Sequence, residues 1–352
     1  MLRNAKLATL GVLRRAGLFD LVANSEWRRN RLLILCYHGT SLEDEHRWRP
    51  PLYLAPEVLE QRLQALRSMR CSLLPLGEAL QRLHARDLPP RSVAVTFDDG
   101  TYDFYKQAYP LLKKYGIPVT VYQTTYYSDH AMPIFNLICS YMLWKRRPEQ
   151  LPPIPEIGLT GTMDLGTQIG RHRVVRGLIE HAERENLTGA QKNEIAARLA
   201  SALRIDYPAL GAKRILQLMN PNEISEIAKH GVDVELHTHR HRTPGDEALF
   251  RREIVDNRQR IQSITGREAL HFCYPSGVHR KDFLTWLKNE NVKSATTCDV
   301  GLAAPGDNPL LLSRFVDTSG RAQVEYESWL AGVGDMIAFR RITPQRYVVP
   351  ED

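Results

Sequence analysis

The chain has 352 residues, 43% of them hydrophobic, which is enough for one large domain or two small ones. Its net charge of +7 and isoelectric point near 9.1 favour an anionic partner. Nucleic acid is not expected, because no recognised binding module or basic–aromatic repeat accompanies the bulk charge. The five cysteines are scattered and form no Cys-x-x-Cys pair, which argues against a disulfide scaffold and favours a reducing compartment.

The first 31 residues predict a basic amphipathic helix. Apolar residues recur with helical spacing between basic side chains, which are Arg3, Lys6, Arg14, Arg15, Arg28, Arg29 and Arg31. Such a segment either lies on an anionic membrane or packs on the protein with a solvated basic face. A secretory signal fits poorly, and no run approaches the roughly 18 apolar residues that cross a bilayer. We therefore expect a cytoplasmic protein or one peripheral to the inner membrane.

Short apolar runs alternate with helical segments from residue 32 onward. The runs typical of strands are residues 32–37, 92–97, 118–122, 232–236, 270–273 and 293–297. Helices are predicted over residues 56–69, 102–115, 220–230, 248–265 and 280–290. Several strands end in chemically active residues, among them His38, Asp98 and His237. Strand–helix alternation with chemistry at the carboxyl ends of strands indicates an α/β barrel.

Residues 128–218 do not follow this alternation. They open with an apolar and aromatic run and continue through the proline-rich residues 151–158. Two helical pieces follow, over residues 170–185 and 189–203, and Thr188 and Gln191 have capping-box spacing before the second. We interpret this stretch as a helical insertion beside the mouth of the barrel. The alternative is a peripheral cap without a role in substrate binding.

Two adjacent carboxylates, Asp98 and Asp99, end the strand over residues 92–97, and Gly100 follows them. At a strand end, glycine can relax the backbone so that both carboxylates turn toward one cavity. Two carboxylates in one cavity repel each other unless a cation or a proton lies between them. The segment therefore predicts a metal site with a spare base.

Histidines supply the remaining ligands for such a site. His237, His239 and His241 directly follow the strand-like run over residues 232–236. Imidazole and carboxylate together suit zinc and similar divalent ions. One aspartate with two histidines leaves a fourth position for water, which is typical of a catalytic site.

Two segments carry a family resemblance. Residues 96–100, Thr-Phe-Asp-Asp-Gly, and residues 237–241, His-Thr-His-Arg-His, resemble the first two motifs of the polysaccharide deacetylases of carbohydrate esterase family four, the NodB homology family. The resemblance covers about residues 31–126 and 220–320. It implies a distorted (β/α)7 barrel with the helical insertion, and a divalent ion, Zn²⁺ first with Co²⁺ or Ni²⁺ as alternatives.

The same resemblance assigns roles to individual residues. It implies that Asp98 is the catalytic base and that the metal ligands are Asp99, His237 and His241. His239 does not match a ligand of the motif, which leaves it a supporting place beside the ligands.

The catalytic acid is not in its usual place. Many family members carry a Leu-x-x-His motif late in the chain, but residues 310–316 contain no histidine. The element Tyr37-His38-Gly39 instead resembles the Tyr-His element of a permuted subgroup, exemplified by poly-β-1,6-N-acetylglucosamine deacetylases. His38 is therefore expected to be the acid, and an ordinary histidine pKa near 6.5 suits that task. The alternative is a structural histidine that caps a strand.

The third family motif is incomplete. Residues 270–277 keep its Tyr-Pro-x-Gly part, which places Tyr274 near the oxyanion, but they lack the arginine that orients the base. Arg314 lies in an element that resembles Leu-Pro-Arg-x-x-Val of related sequences, and we expect it to support Asp98 or the substrate. The alternative is a salt bridge that closes the barrel. Arg240 is a weaker candidate for the same task.

Together these features predict a metal-dependent hydrolase that removes N-acetyl groups from an N-acetylhexosamine glycan, an exopolysaccharide or lipid-linked precursor of the cell envelope. Two alternatives stay open: an O-deacetylase or deformylase of another sugar, and a non-catalytic glycan-binding or assembly protein with the same fold. We expect a basic segment over residues 1–30 and a barrel over residues 31–320, with the insertion at about 128–218. A C-terminal helix and tail are expected over residues 321–352.

Overall fold

Seven parallel strands close into a barrel in the computed structural model, which describes residues 2–337. The strands are β1 (Leu33–Tyr37), β2 (Ser92–Phe97), β3 (Val119–Gln123), β4 (Asp233–Leu236), β5 (His271–Cys273), β6 (Ser294–Val300) and β7 (Leu312–Val316). They follow one another around the ring in chain order, and β1 closes it by pairing with both β2 and β7. The predicted (β/α)7 barrel is confirmed. Residues 338–352, part of the predicted tail, lie outside the described residues.

The apolar runs become strands because they are buried on both faces. Every residue of β1 and of β2 is buried, as expected where helices cover the outside and side chains fill the inside of a parallel barrel. The seventh strand, β7, was not among the predicted strands. Its sequence, Leu-Ser-Arg-Phe-Val, places a charged residue at the centre of a short apolar run, and Arg314 is nevertheless fully buried.

Helices surround the barrel close to their predicted bounds. They are Pro56–Ser68, Leu76–Ala85, the π-helical turn Phe104–Ala108 continued by Tyr109–Lys114, Pro221–Lys229, Glu247–Thr265, Lys281–Asn289 and Gln323–Ala331. Among these, Leu76–Ala85 was not predicted. Shorter helical pieces are Leu18–Ala23, Glu26–Arg29, Glu45–Trp48, Tyr126–Asp129, Pro155–Ile157, Pro275–Gly277 and Val333–Ile337. Short strands are Gly39–Thr40 paired with Tyr53–Leu54, Ser72–Leu73 on the edge of β2, and Gln150–Leu151 paired with Met163–Asp164.

The insertion is a helical unit with an apolar core of its own. Its helices are Phe135–Arg146, Gln168–Arg184, Gly189–Ala202 and Tyr207–Ala212. Met142, Leu178 and Leu199 are fully buried among them, and the predicted capping box of Thr188 and Gln191 is present. The insertion rejoins the barrel beside the carboxylate pair, since the N–H of Met219 donates to the carbonyl of Gly100 at 3.0 Å.

The basic segment forms the helix Leu2–Arg15, which packs on the last long helix. Leu10 is buried in that contact, and Lys6 and Arg14 pair with Glu325 at 2.9 Å and Glu327 at 2.8 Å. Val12, by contrast, is 56% exposed on the same helix. Across residues 2–337, every helix falls short of the length and apolar character needed to cross a membrane.

Candidate active site

The carboxylate pair turns inward through two residues with left-handed backbone. The N–H of Asp98 still donates to the carbonyl of Tyr37 at 2.9 Å, which continues the pairing of β1 with β2. Asp99 and Gly100 then have φ of 72° and 73°. Positive φ is uncommon for a residue other than glycine and is concentrated at functional sites. This turn places Asp98 and Asp99 in the same cavity at the carboxyl ends of the strands.

Asp99, His237 and His241 form a compact group that we call the metal triad. Oδ1 of Asp99 is 3.2 Å from Nε2 of His237 and 3.2 Å from Nε2 of His241. Tetrahedral zinc with bonds of about 2.0–2.2 Å separates such ligand atoms by about 3.4 Å. The residues present therefore fit a divalent ion with nitrogen and oxygen ligands.

The ring of His237 is oriented for this task from its far side. Its Nδ1 lies 2.9 Å from the carbonyl oxygen of Cys273, so Nδ1 carries the hydrogen and Nε2 keeps a lone pair that could hold an ion. The backbone N–H of His237 donates to Oδ1 of Asn257 at 2.9 Å. Burial raises the pKa of Asp99, but the adjacent imidazoles of His237 and His241 overcome it and hold that pKa well below its ordinary value.

Arg314, on the last strand of the barrel, binds Asp98, the predicted base. Its Nη1 donates to Oδ1 of Asp98 at 2.7 Å and its Nη2 to Oδ2 at 2.8 Å, a two-pronged pair between fully desolvated groups. Nε of Arg314 donates to the carbonyl of Thr297 at 2.9 Å, which fixes the plane of the guanidinium. Burial raises the pKa of Asp98, whereas the charge and hydrogen bonds of Arg314 lower it well below the ordinary value. Asp98 is therefore ionised at neutral pH.

His38 lies across the cavity from the guanidinium. Its Nε2 is 3.7 Å from Oδ2 of Asp98, and its side chain is 16% exposed. Within the described part of the chain, Nδ1 has no hydrogen-bond partner. The predicted acid and the predicted base thus stand side by side at the ends of β1 and β2.

Both hydrogen-bond donors of Tyr274 have partners inside the barrel. Its backbone N–H donates to the carbonyl of Thr296 at 3.2 Å, and its hydroxyl donates to the carbonyl of Leu310 at 3.0 Å. Burial raises the pKa of this hydroxyl well above its ordinary value. Both donors already have backbone partners, and the expected role of Tyr274 next to the oxyanion stays a prediction.

Two other residues of the histidine segment point elsewhere. Nδ1 of His239 lies 2.9 Å from Oγ1 of Thr125, away from the triad, in agreement with its absence from the motif. Arg240 pairs with Glu253 at 2.9 Å rather than with Asp98. Arg314, and not Arg240, therefore contacts Asp98.

Several residues that no sequence motif indicated contact Asp98 or join the loops beside it. The thiols of Cys36 and Cys273 lie 3.5 and 3.4 Å from Oδ2 of Asp98. Asp103 accepts from the N–H of Thr40 at 2.8 Å and joins the loops that follow β1 and β2. Only Cys36 has a signal in the sequence, since it precedes His38 by two residues on a strand and must share its face. Asn257, Cys273 and Asp103 act through contacts that no local pattern records.

Comparison with known proteins identifies a family for most of the barrel. The family model described as polysaccharide deacetylase matches residues 85–295, which is more than half of the chain. A poly-beta-1,6-N-acetyl-D-glucosamine N-deacetylase from Staphylococcus aureus strain MSSA476 is 41% identical over 61 residues. This match covers 17% of the present chain and 21% of the relative, so the chain matches about a fifth of that protein's length.

Solved structures share the fold at low sequence identity. The Streptococcus pyogenes deacetylase PplD in complex with acetate matches with a TM-score of 0.56 at 18% identity, over 86% of this chain and 97% of that one. IcaB from Ammonifex degensii gives 0.53 at 18% identity, over 86% and 97%. The polysaccharide deacetylase BC0361 from Bacillus cereus gives 0.52 at 15% identity, over 86% and 69%.

Proposed function

The chain belongs to the polysaccharide deacetylase family, and on that basis we propose that it is a metal-dependent hydrolase that removes N-acetyl groups from an N-acetylhexosamine polysaccharide or lipid-linked glycan. The observation that carries the proposal is the metal triad next to Asp98, whose carboxylate is held by Arg314. A non-catalytic glycan-binding protein would have no need to keep the triad, the base and its arginine together.

Asp99, His237 and His241 would hold the ion, with Zn²⁺ as first choice and Co²⁺ or Ni²⁺ as alternatives. When bound, a divalent ion polarises the amide carbonyl and makes water acidic enough to attack at neutral pH. His237 is kept in the required tautomer by the carbonyl of Cys273.

Asp98 and His38 divide the proton transfers. Asp98 is ionised and fixed by Arg314, so it accepts the proton of the attacking water at Oδ2, the oxygen nearer His38. His38 donates a proton to the amide nitrogen, because an amine leaves readily only after protonation. Both groups are fixed at the ends of adjacent strands, and this rigidity keeps them in reach of one substrate amide.

Poly-β-1,6-N-acetylglucosamine is the first substrate to test. The element Tyr37-His38-Gly39 and the activity for which the Staphylococcus aureus relative is named support it. The same site would attack other exposed acyl groups, so O-acetylated and N-formylated sugars are the alternatives.

Acetate release from defined oligomers tests the proposal. Purified protein loaded with one divalent ion per chain should release acetate from N-acetylglucosamine oligomers, and Asp98→Asn should lower the rate about 10²- to 10⁴-fold. Arg240→Gln is the matched control, because Arg240 does not contact Asp98. Absence of acetate from every oligomer, or full activity of Asp98→Asn, would contradict the proposal. Formate or O-acetyl release in place of N-acetyl release would support the alternatives.

We also propose that the insertion borders the glycan. A cleft of about 450 Å³ lies between the end of β3 and the exit of the insertion, lined by Asp129, His130, Arg214 and Gln217 among others. At the rim of this cleft, the carbonyl of Gly100, which follows Asp99, accepts a hydrogen bond from the N–H of Met219. His130→Ala should therefore weaken turnover of long oligomers more than of short ones. If His130→Ala lowered turnover of long and short oligomers equally, the insertion would be a peripheral cap without a role in substrate binding.

We propose in addition that the outer face of the helix Leu2–Arg15 contacts an anionic membrane and keeps the protein at the inner membrane. Val12 and Arg15 are exposed there, whereas Lys6 and Arg14 are partly neutralised by acidic partners. Sedimentation with anionic vesicles should fall in Val12→Asp and Arg15→Glu, and neutral vesicles should not bind. Equal sedimentation of wild type with both vesicle types would contradict this contact.

A further inference from the structure

A thiol, an imidazole and a carboxylate meet on the inner face of the first two strands. Cys36 and His38 are two residues apart on and just beyond β1, so strand alternation directs both to the same face. The pairing of Tyr37 with Phe97 places Asp98 opposite His38 on the neighbouring strand. We call Cys36, His38 and Asp98 the second-ion cluster.

The distances within this cluster suit a metal ion. Oδ2 of Asp98 lies 3.5 Å from Sγ of Cys36 and 3.7 Å from Nε2 of His38, and the three donor atoms lie within 4.8 Å of one another. Tetrahedral zinc with bonds of about 2.3 Å to sulfur and about 2.0–2.2 Å to nitrogen and oxygen needs separations of about 3.4–3.6 Å. Two of the three separations already agree within a few tenths of an ångström.

Cys36 is better placed for this task than the neighbouring thiol of Cys273. Sγ of Cys273 lies 3.1 Å from Nη2 of Arg314, so a cation there would meet the guanidinium directly. The imidazole nearest to Cys273 is that of His237, whose Nε2 already belongs to the metal triad. Cys36 instead faces His38, whose side chain reaches solvent and offers a path of entry.

We propose that the second-ion cluster binds a second divalent ion, and that this ion inhibits the enzyme. Binding breaks the S–H bond of Cys36, releases the proton to solvent and uses the sulfur electron pair for the bond to the ion. Asp98 and His38 become ligands, so neither can transfer a proton. The inhibition rests on the proposed function, whereas the binding does not.

The second ion binds more weakly than the first. Arg314 lies 2.8 Å from Oδ2 of Asp98 and repels a cation, and the bond to Cys36 forms only with loss of the thiol proton. The metal triad contains no thiol, so an ion binds there without displacing a thiol proton. The inhibitory site therefore fills only when metal is in excess.

Cobalt spectroscopy detects an ion at the second-ion cluster without a measurement of activity. Protein holding one Zn²⁺ per chain is titrated with Co²⁺, and a thiolate-to-cobalt charge-transfer band in the near ultraviolet reports sulfur ligation. The metal triad contains no sulfur and cannot produce this band. We expect the band in wild type and in the control Cys71→Ser. In Cys36→Ser, Co²⁺ should bind at least about tenfold more weakly and without the band, because even outer-shell changes cost about 10- to 100-fold in affinity.

Zinc titration of acetate release then tests the inhibition. Excess Zn²⁺ should inhibit wild type and Cys71→Ser over the range in which the second ion binds. In Cys36→Ser, the concentration for half inhibition should rise at least about tenfold, measured against that variant's own rate without excess zinc. Inhibition that is unchanged in Cys36→Ser would overturn the inhibitory role.

Three results would overturn the site itself: no band in wild type, a band that persists in Cys36→Ser, or a band lost only in Cys273→Ser. X-ray absorption of wild type with two zinc ions per chain needs no variant. Averaged over both ions, it should show one sulfur neighbour at about 2.3 Å for every two zinc ions. A spectrum with only nitrogen and oxygen neighbours would refute the site. Failure of acetate release with an intact cobalt band would refute the proposed function and leave the site standing.

Discussion

Asp98 and Arg314 are a buried ion pair whose partners come from the second and last strands of the barrel. Two buried charges are tolerated because each oxygen of Asp98 receives its own N–H donor from Arg314. Removing one partner would leave the other charge uncompensated, which is more costly than never having buried the pair. The pair therefore links the stability of the barrel to the charge of Asp98, the proposed base.

Arg314→Met should lower both stability and activity. The free energy of unfolding should fall by about 3–5 kcal/mol, and the rate of acetate release should fall by about 100-fold or more. Without the guanidinium, burial raises the pKa of Asp98, so the acid limb of the pH–rate profile should move to higher pH. Arg314→Lys keeps the charge but loses the second hydrogen bond to Asp98. Its stability and its activity should lie between those of wild type and Arg314→Met. An unshifted acid limb in Arg314→Met would argue against Asp98 as the base.

Asp103 predicts a dependence of stability on pH. Burial, with the nearby carboxylates as a smaller cause, raises its pKa to about 8. The folded protein thus keeps a proton on Asp103 between about pH 4 and pH 8, where the unfolded chain has lost it, so this group's contribution to stability falls as the pH rises. Asp103→Asn cannot ionise.

The free energy of unfolding of Asp103→Asn, taken relative to that of wild type, should therefore rise by a few kcal/mol from about pH 5 to pH 8. Urea unfolding in the presence of a chelator measures this difference, and the chelator removes the contribution of bound metal. Glu235, whose pKa burial also raises to about 8, is common to both proteins and cancels. A difference that is constant across this range would show that Asp103 ionises normally.

The helix Glu247–Thr265 acts on the metal triad through Asn257, a fully buried side chain. Oδ1 of Asn257 accepts the N–H of His237, while its Nδ2 donates to the carbonyl of Gln123 and to Oγ1 of Thr125. One amide thus ties the ends of β3 and β4 to the helix that packs behind them.

Asn257→Ala should weaken metal binding about 10- to 100-fold, because the backbone of His237 loses its support. Competition with a coloured chelator measures the affinity. Gln259→Ala, an exposed change two residues away on the same helix, should bind metal as wild type does. Equal affinities of the two variants would mean that the triad is held by its own loop alone.

Sequence patterns predicted the elements well where burial and periodicity agree. The strand that carries Asp98 and the helix capped by Asn220 were predicted within a few residues. The strand β7 was not predicted because the charged Arg314 lies in the middle of its five residues. The burial of Arg314 is explained only by its contact with Asp98, which the local sequence does not show. The contacts of Asn257, Cys273 and Asp103 depend on which strands become neighbours, and short-range periodicity carries no such information.

At the scale of the whole molecule, metal should act as a stabilising ligand. The triad joins β2 with the loop after β4, so a bound ion links two parts of the ring that lie far apart in sequence. An ion at about 100 times its dissociation constant adds about 2.7 kcal/mol to the free energy of unfolding. Chelation should lower the melting temperature of wild type accordingly.

His241→Ala removes the most exposed ligand of the triad and should abolish this dependence on metal. Its melting temperature should be the same with chelator and with zinc. His230→Ala, which alters an exposed histidine outside the triad, should respond to chelation as wild type does. A metal response that persists in His241→Ala would mean that His241 is not needed to hold the ion.

The closing seam between β1 and β7 has a consequence for the protein during its synthesis. The ribosome has made every member of the metal triad by residue 241, whereas Arg314 comes later, on the strand that closes the ring. A growing chain therefore contains all the proposed ion ligands before it contains the arginine that pairs with Asp98. The triad and Arg314 are thus synthesised at different times, and the pair of Asp98 with Arg314 forms only when the last strand docks.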